Sequence, residues 1–367
     1  MATPEDITPA RLTALLRDGG TLPRGEVVAV AQRPNDAFNS RVAHLTLTYS
    51  AEVPPGVPTR LLLKRNIDAE WAVRDNAAEV AFYRHVAPLA GRLPMLLRAC
   101  AAAHDPATGR SHLLLPDLSG THVTPVERAR VLALDGVPTE TQLVGIVDAL
   151  AAFHAYWWQH PDLGREPLPL SGLYGDRASY DHFVAGIGAD WAAFGAAGGA
   201  DVPPDLRALC EWAIPRLPAL WERYLAARMP PRRHITLCHG DCYFNAFLCA
   251  RDPAGTTYII DWQGPFAEFA ARDLTYLFAT FWPPAQRGEG RREVRLLRRY
   301  HRGLRDHGVA GYSWEDLRLD YRLMLIFRLF LPVWDAARGS PRAYWWPKLR
   351  CLAAAYRDWR CAELLEG

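Results

Sequence analysis

The sequence predicts an α+β fold with two lobes. A small N-terminal lobe over residues 1–116 is expected to combine a mixed sheet with a helix, and residues 117–367 a larger, mainly helical lobe. The chain has 367 residues, of which 50% are apolar, enough for a sizeable core in two lobes. Strand-like apolar runs occupy the first part of the chain, and helical apolar periodicity dominates from residue 139 onward.

The N-terminal lobe begins with a short helix and continues mainly as strands. A helix over residues 9–17 ends at Gly19-Gly20 and places Leu12, Leu15 and Leu16 on one face. Apolar runs separated by turn residues predict the elements that follow. These are strands at residues 27–31, 42–49, 61–64, 95–103 and 111–115, with a helix at residues 74–86.

The C-terminal lobe carries helical signals. Thr139 and Gln142 can form a capping box at the start of its first long helix. His154 lies near the apolar stripe of that helix and is expected to be a hydrogen-bonded core histidine. Further helices are predicted at residues 180–194 and 204–227. The apolar stripe comprises Leu143, Ile146, Val147, Leu150, Phe153 and Trp157.

Composition narrows the class of protein. A formal net charge of +2 argues against a dedicated nucleic-acid binder. The N-terminus lacks a basic start followed by an apolar core, and no apolar run reaches the ~20 residues that span a bilayer, so no membrane partner is expected. Seven cysteines without a CxxC pair indicate reduced thiols in a cytoplasmic protein, expected to be a monomer or homodimer.

Two carboxylates stand out between residues 236 and 273. Asp241 closes His239-Gly240-Asp241 after an apolar strand at residues 235–238, and Asp261 closes a second apolar run. Strands at residues 247–249 and 258–260 are joined by turn-forming residues, which predicts a hairpin. Because a hairpin brings its outer ends together, Asp241 and Asp261 are expected to lie close enough to share a substrate or metal cluster. Two such carboxylates suit phosphoryl transfer.

His239-Gly240-Asp241 and Ile260-Asp261-Trp262 resemble the catalytic and metal-binding loops of the aminoglycoside phosphotransferase and choline kinase-like family, which includes ecdysteroid kinase-like proteins. The resemblance implies a protein-kinase-like fold that uses ATP, or GTP, with Mg²⁺. It implies that Asp241 orients or deprotonates the acceptor hydroxyl and that Asp261 binds Mg²⁺. It also implies that Asp273 steadies the catalytic loop through hydrogen bonds.

Lysine usage points to the nucleotide phosphates. The chain has 42 basic residues, and only Lys64 and Lys348 are lysines. Lys64 ends an apolar strand, where a compact ammonium suits contact with the α and β phosphates. In the family resemblance, Glu79 on the following helix forms the ion pair that fixes this lysine, and Glu70 is the rival partner.

Further nucleotide contacts are implied by the family order. The loop at residues 32–40 is expected to cover the phosphates through Asn39, Ser40 and neighbouring amides, although it has no glycine. Residues 113–120 resemble the segment between the lobes whose backbone binds adenine, which implicates Leu115 and Asp117.

One position departs from the family pattern. The metal-binding Asn is expected five residues after Asp241, where this chain has Ala246, while Asn245 comes one place earlier. Either a shifted loop lets Asn245 supply the oxygen, or water replaces the side chain at a weakened second metal site, or activity has been lost.

The predicted function is phosphorylation of a hydroxyl on a small molecule. Two alternatives remain: a catalytically silent kinase-like protein that binds nucleotide or ligand, and an unrelated metal-dependent hydrolase using His239, Asp241 and Asp261. A basic helix face at residues 291–304 would disfavour polycationic aminoglycosides if it lined the acceptor pocket. Four aromatic residues fit either an aromatic wall or a helical core: Trp334, Tyr344, Trp345 and Trp346.

Overall fold

The structure is a computed structural model that describes residues 7–36, 40–166, 168–171, 173–196 and 202–366. The chain divides into two compact units. Unit 1 comprises Met1–Val123 and Ala250–Gly264, and unit 2 comprises Thr124–Cys249 and Pro265–Gly367. The predicted boundary lies between residues 116 and 117, whereas the first segment of unit 1 ends at Val123. No local pattern in the sequence predicts the return of residues 250–264 to unit 1.

The strands of the described residues are concentrated in the first third of the chain and around the two predicted carboxylate loops. They are β1 Val27–Asp36, β2 Ser40–Tyr49, β3 Arg60–Asn66, β4 Ala101–Asp105, β5 Arg110–Pro116, β6 His122–Val123, β7 Ile235–Cys238, β8 Phe247–Ala250, β9 Tyr258–Ile259 and β10 Phe266–Phe269.

Unit 1 is built on a five-stranded sheet in the order β1-β2-β3-β5-β4. All four pairings are antiparallel, so the mixed sheet predicted from the sequence is corrected to an antiparallel one. The physical reason is that residues 50–59 between β2 and β3, and residues 106–109 between β4 and β5, are fewer than the dozen or more that a crossover between parallel strands needs. Helix α1, Pro9–Asp18, was predicted within one residue and buries Leu12 and Leu16 in the core of the sheet.

Two elements of unit 1 differ from their predicted bounds. The helix predicted at residues 74–86 is α2, Glu70–Ala81, followed by a wider π-helical turn, Phe82–Val86, and the short α3, Ala87–Leu89. An acidic residue in the first helical turn interacts favourably with the helix dipole, which accounts for the earlier start at Glu70. The strand predicted from residue 95 begins only at Ala101 in β4, because Met95 accepts a hydrogen bond of 3.0 Å from the amide of Ile259 instead.

Unit 2 is mainly helical, as predicted. The Thr139–Gln142 capping box is confirmed, and all six residues of the predicted stripe are 0% exposed. The helix predicted at residues 204–227 ends at Ala213, because Pro215 and Pro218 follow and proline has no amide N–H to continue the helix. The helices are α4 Arg128–Leu132, α5 Glu140–Tyr156, α6 Arg177–Ala196, α7 Pro204–Ala213, α8 Ala271–Thr275, α9 Pro284–Gly288, α10 Arg292–Asp306, α11 Trp314–Arg328, α12 Leu331–Ala337, α13 Arg342–Asp358 and α14 Glu363–Glu366.

A buried strand pair in unit 2 positions the loop that contains Asp241. Strands β7 and β10 pair antiparallel, with Cys238 opposite Phe266 and Ile235 opposite Phe269. All four residues of β7 are buried. The residues that follow Cys238 therefore start from a fixed, buried point. In the part of the chain that the structure describes, no helix is long and apolar enough to span a bilayer.

Candidate active site

Lys64 lies in β3, the central strand of the sheet, opposite Val42 on β2 and Leu113 on β5. Its side chain is 11% exposed, and its Nζ lies 2.6 Å from a carboxylate oxygen of Glu79 and 2.5 Å from one of Asp261. Burial alone would lower the pKa of Lys64, but the negative charges of Asp261 and Glu79 outweigh it and raise this pKa. The side chain is therefore a fixed cation between two carboxylates.

The structure places Glu79, and not its rival Glu70, beside Lys64. Glu79 is 2% exposed on the buried face of α2, together with Ala72, Asn76 and Val80. Glu70 lies in the first turn of the same helix and is exposed. The helix thus presents one carboxylate to the sheet and one to solvent.

Asp261 has a strained backbone and a buried anchor beside it. Its φ of +66° lies in the left-handed region, which is uncommon for a non-glycine residue and often marks a functional site. The next residue, Trp262, is 0% exposed and stacks on Phe82 with ring centroids 4.1 Å apart. The Nε1 of Trp262 donates a 3.1 Å hydrogen bond to the carbonyl of Ile259. These contacts fix the turn that carries the Asp261 carboxylate.

Of the other residues predicted to contact the nucleotide, the structure describes Ser40, Leu115 and Asp117. Asn39 lies outside the described residues. Ser40 is 2% exposed at the start of β2, opposite Asn66. Leu115 is 6% exposed, and the register between β4 and β5 ends at Leu114, one residue before it. The pairing between β4 and β5 therefore does not extend to the backbone of β5 after Leu114.

Asp117 connects residues of unit 1 through hydrogen bonds and ion pairs. Its carboxylate lies 3.0 Å from the imidazole of His44 and 3.1 Å from the guanidinium of Arg60, and its amide donates to the carbonyl of Arg60. Burial would raise the pKa of Asp117, but hydrogen bonds from Ser119 and His44 lower it to about 2. Because the carboxylate and the amide are both engaged, the predicted contact with adenine depends on the carbonyl oxygen alone.

The loop with Asp241 is held by a buried carboxylate behind it. Asp273 accepts hydrogen bonds from the amides of His239, at 2.7 Å, and Gly240, at 3.0 Å. Gly240 has a φ of +91°, a conformation that glycine adopts without steric cost. The side chain of Asp241 is exposed while its supports are buried. The hydrogen bonds that the sequence resemblance implied for Asp273 are therefore present.

His154 extends this support into the core. It is 0% exposed, with Nδ1 2.8 Å from the Tyr300 hydroxyl and Nε2 3.2 Å from Asp273. The prediction of a hydrogen-bonded core histidine is confirmed. His154, Cys238 and Asp273 are close enough to hold a metal ion. Both imidazole nitrogens are already engaged, however, and burial raises the pKa of the Cys238 thiol well above its usual value, which favours a hydrogen-bond network.

The two polar atoms of the Asn245 side-chain amide have different surroundings. Its Nδ2 donates a 2.9 Å hydrogen bond to the carbonyl of Val126, while its buried Oδ1 has no hydrogen-bond partner in the part of the chain that the structure describes. The carbonyl of Val126 fixes the orientation of the amide, since a flipped amide would oppose two oxygens. A carbonyl oxygen suits Mg²⁺. Ala246 is 1% exposed and packs in the core, so its side chain is directed away from solvent.

Asp241 lies in a pocket of unit 2 with a volume of about 520 Å³. The Tyr276 ring borders it, and burial together with the negative charge of Asp241 raises the pKa of Tyr276 well above its usual value. Of the four aromatic residues that fit a wall or a helical core, Trp334 alone is among the described lining residues. The walls are mainly apolar: Leu173, Phe183, Ile187, Phe327, Leu331 and Trp334.

The basic residues at this pocket are not those of the basic helix. Arg272, Arg328 and Arg338 line it. On α10, Arg299 instead forms two 2.7 Å hydrogen bonds with Asp148 on α5. These pocket arginines were not predicted, because isolated arginines at three separate places in the chain produce no local pattern. A second cavity, of about 620 Å³ and lined by Tyr83 and His112, contains none of the predicted site residues.

The chain is similar to several small-molecule kinases. The model of the ecdysteroid kinase-like family matches residues 204–309. A choline kinase from Cryptosporidium parvum is 10% identical, with a TM-score of 0.56 over 92% of this chain and 90% of that chain. A choline/ethanolamine kinase family protein from Mesorhizobium loti is 14% identical, with a TM-score of 0.47 over 92% and 93%. An aminoglycoside phosphotransferase from Streptomyces rimosus is 17% identical, with a TM-score of 0.43 over 87% and 97%. No curated protein matches the chain.

These findings confirm the fold class and the resemblance inferred from the sequence. The similarity to the choline kinase shows an α+β, two-lobed, protein-kinase-like fold. The segment matched by the ecdysteroid kinase-like model contains Asp241, Asn245, Asp261 and Asp273. The family resemblance therefore covers the same residues from which the chemistry was predicted.

Proposed function

We propose that this protein is a cytoplasmic phosphotransferase that moves the γ-phosphoryl group of ATP, or of GTP, to a hydroxyl of a small molecule. The observation that carries the proposal is the Lys64 ammonium held between the carboxylates of Glu79 and Asp261. A fixed lysine on a central strand, paired with a helix glutamate, is the arrangement that binds the α and β phosphates in kinase-like enzymes.

Asp241 is the proposed catalytic base. Its exposed carboxylate lies in the pocket, where an acceptor hydroxyl can reach it. Asp241 takes the proton of the hydroxyl while the hydroxyl oxygen forms a bond to the γ-phosphorus. The bond between that phosphorus and the bridging oxygen breaks, and the nucleoside diphosphate leaves. Asp273 acts only as a positioning residue, through the amides of His239 and Gly240.

Mg²⁺ fits the chemistry of two residues. Asp261 offers a carboxylate, and Asn245 offers a buried amide oxygen that has no hydrogen-bond partner among the described residues. The ion would neutralise negative charge on the nucleotide phosphates. The orphaned oxygen supports the hypothesis that Asn245 replaces the usual Asn at position 246. Adding a polar side chain at the buried Ala246 is expected to destabilise the protein rather than to improve metal binding.

The test is nucleotide turnover by the purified protein with Mg²⁺ and a panel of hydroxylated metabolites and antibiotics. Asp241→Asn is expected to lower acceptor-stimulated turnover by about 100-fold or more, the usual contribution of a general base, with nucleotide affinity retained. Asp148→Asn is the control, because Asp148 pairs with Arg299 on an exposed helix face and does not line the pocket. Full turnover in Asp241→Asn would overturn the assignment of the base.

Two other results identify the alternatives. Nucleotide binding without turnover for any acceptor would indicate a silent kinase-like binding protein. Metal-dependent hydrolysis whose rate is the same with and without nucleotide would indicate a hydrolase.

A further inference from the structure

Arg328 places a buried positive charge at the pocket that contains Asp241. The residue is 3% exposed and, among the described residues, forms no ion pair. Its Nη2 donates two long hydrogen bonds, of 3.4 Å to the carbonyl of Gly240 and 3.3 Å to that of Arg272, and its Nε has no hydrogen-bond partner within the described ranges of the chain. A buried cation without a counter-ion is unfavourable, so a bound anion would stabilise it.

The surroundings offset this charge only in part: the guanidinium lies 4.3 Å from the centroid of the Tyr276 ring, and the negative charge of Glu268 acts on it without an ion pair among the described residues. Burial and the nearby charge of Arg272 lower the pKa of Arg328 to about 10, which leaves it protonated at neutral pH. The buried carboxylate of Glu268 already accepts a hydrogen bond from the Tyr174 hydroxyl, and burial raises its pKa. Arg272 also lines the pocket and adds a second guanidinium.

A cationic ligand finds little to bind in the same pocket. Among the described lining residues the carboxylates are Asp190 and Asp241. Asp190 is engaged 3.0 Å from Arg338, whose guanidinium also lies 4.4 Å from the Trp334 ring. Only Asp241, the proposed base, remains for an amine. The pocket is thus poorly matched to a polyamine and well matched to an acid.

The remaining walls define the body of the ligand. The cavity of about 520 Å³ lies within the range of pockets that enclose a small organic molecule. Its sides are formed by apolar and aromatic side chains, including Phe183, Phe327 and Trp334. Such walls favour an apolar skeleton with few polar groups.

We propose that the acceptor is an apolar hydroxy acid, that Arg328 binds its carboxylate, and that Asp241 receives its hydroxyl. This inference rests on the proposed function for the second contact only. The carboxylate contact exists whether or not phosphoryl transfer follows. Arg328 is therefore a specificity-determining residue at the acceptor pocket.

The experiment measures equilibrium binding without nucleotide, by calorimetry and by the fluorescence of Trp334 and other tryptophans. The probes are three matched naphthalenes: hydroxymethyl-naphthoate, hydroxymethyl-naphthamide and aminomethyl-naphthalenemethanol. The naphthoate is expected to bind about 10-fold or more tightly than the amide, because it alone gives Arg328 a charged partner. The amine is expected to bind most weakly.

Variants assign this preference to one side chain. Arg328→Gln is expected to remove the preference for the naphthoate over the amide, and Arg328→Lys is expected to retain part of it because the charge remains. The control is Arg299→Gln, which removes an exposed guanidinium on α10 that does not line the pocket. Circular dichroism and unfolding curves show whether each variant is folded.

The outcomes separate this inference from the proposed function. Tight binding of the naphthoate without nucleotide-dependent phosphorylation would support the carboxylate site and count against the kinase. Equal affinity of wild-type protein for the naphthoate and the amide would overturn the inference. The inference would also be overturned if Arg328→Gln slowed turnover but left the affinity for the naphthoate unchanged, since Arg328 would then act only on the loop at Gly240.

Discussion

Glu79 and Glu70 lie on one helix, and only their side-chain environments separate them. Glu79→Gln is expected to raise the KM for nucleotide by about 10-fold, because Lys64 then pairs with Asp261 alone and loses its fixed position. The free energy of unfolding is expected to fall by about 1 to 2 kcal/mol, since a buried charged hydrogen bond is lost. Glu70→Gln, at an exposed position of α2, is the matched control. Equal effects of the two substitutions would contradict the assignment.

Asp117 predicts a dependence of stability on acid pH. Its folded-state pKa of about 2 is lower than the ordinary aspartate value of 3.8, so its charged form stabilises the protein above pH 3.8 and this contribution is lost as the pH falls through 2. Asp117→Asn is expected to lower the free energy of unfolding by about 2 kcal/mol at neutral pH and by much less near pH 2. Urea unfolding at both pH values checks this, with Asp68→Asn, 94% exposed, as the control. A pH-independent loss would show that shape and not charge matters.

At the scale of elements, α2 and the π-helical turn after it support two site residues. Glu79 contacts Lys64, and Phe82, three residues later on the same face, stacks on Trp262 beside Asp261. Phe82→Leu is expected to weaken nucleotide binding as well as to lower the free energy of unfolding by about 1 to 3 kcal/mol. Phe153→Leu in α5, also fully buried, is expected to cost similar stability without changing nucleotide affinity. Equal nucleotide affinity in both variants would remove Phe82 from the support of Asp261.

The loop with Asp241 is supported by elements that are distant in sequence. Asp273 on α8 binds its backbone, and His154 on α5 and Tyr300 on α10 complete the buried chain of hydrogen bonds. Periodicity predicted that His154 is buried, because the apolar stripe of α5 is unambiguous. The partners of His154 could not be predicted, because they are far from it in the sequence and such contacts leave no local signal. Asp273 is 119 positions away from His154, and Tyr300 is 146 positions away.

At the scale of the whole molecule, the sequence predicted what local rules determine. The strands of the sheet, the α5 stripe and the capping box follow from spacing and turn chemistry, and the site motifs lie in short loops next to predicted strands. Residues 95–103 were predicted as one strand, but Met95 bonds to Ile259 while residues 101–103 pair with β5. This division depends on tertiary contacts, as does the antiparallel order of the sheet. The acceptor pocket depends on such contacts most, because Arg272, Arg328 and Arg338 come from three separate places in the chain. The proximity of Asp241 and Asp261 stays a prediction.

The seven cysteines give a prediction for the complete chain. All seven are buried, and burial raises the pKa of six of them, including Cys238 and Cys242. A thiol with a raised pKa forms little reactive thiolate. Ellman's reagent at pH 8 is therefore expected to label fewer than about one thiol per native chain. In guanidinium chloride it should label all seven. Nucleotide should leave the labelling of the native protein unchanged. Rapid labelling of several thiols before unfolding would show that these cysteines lie at surfaces and not in the cores of the two units.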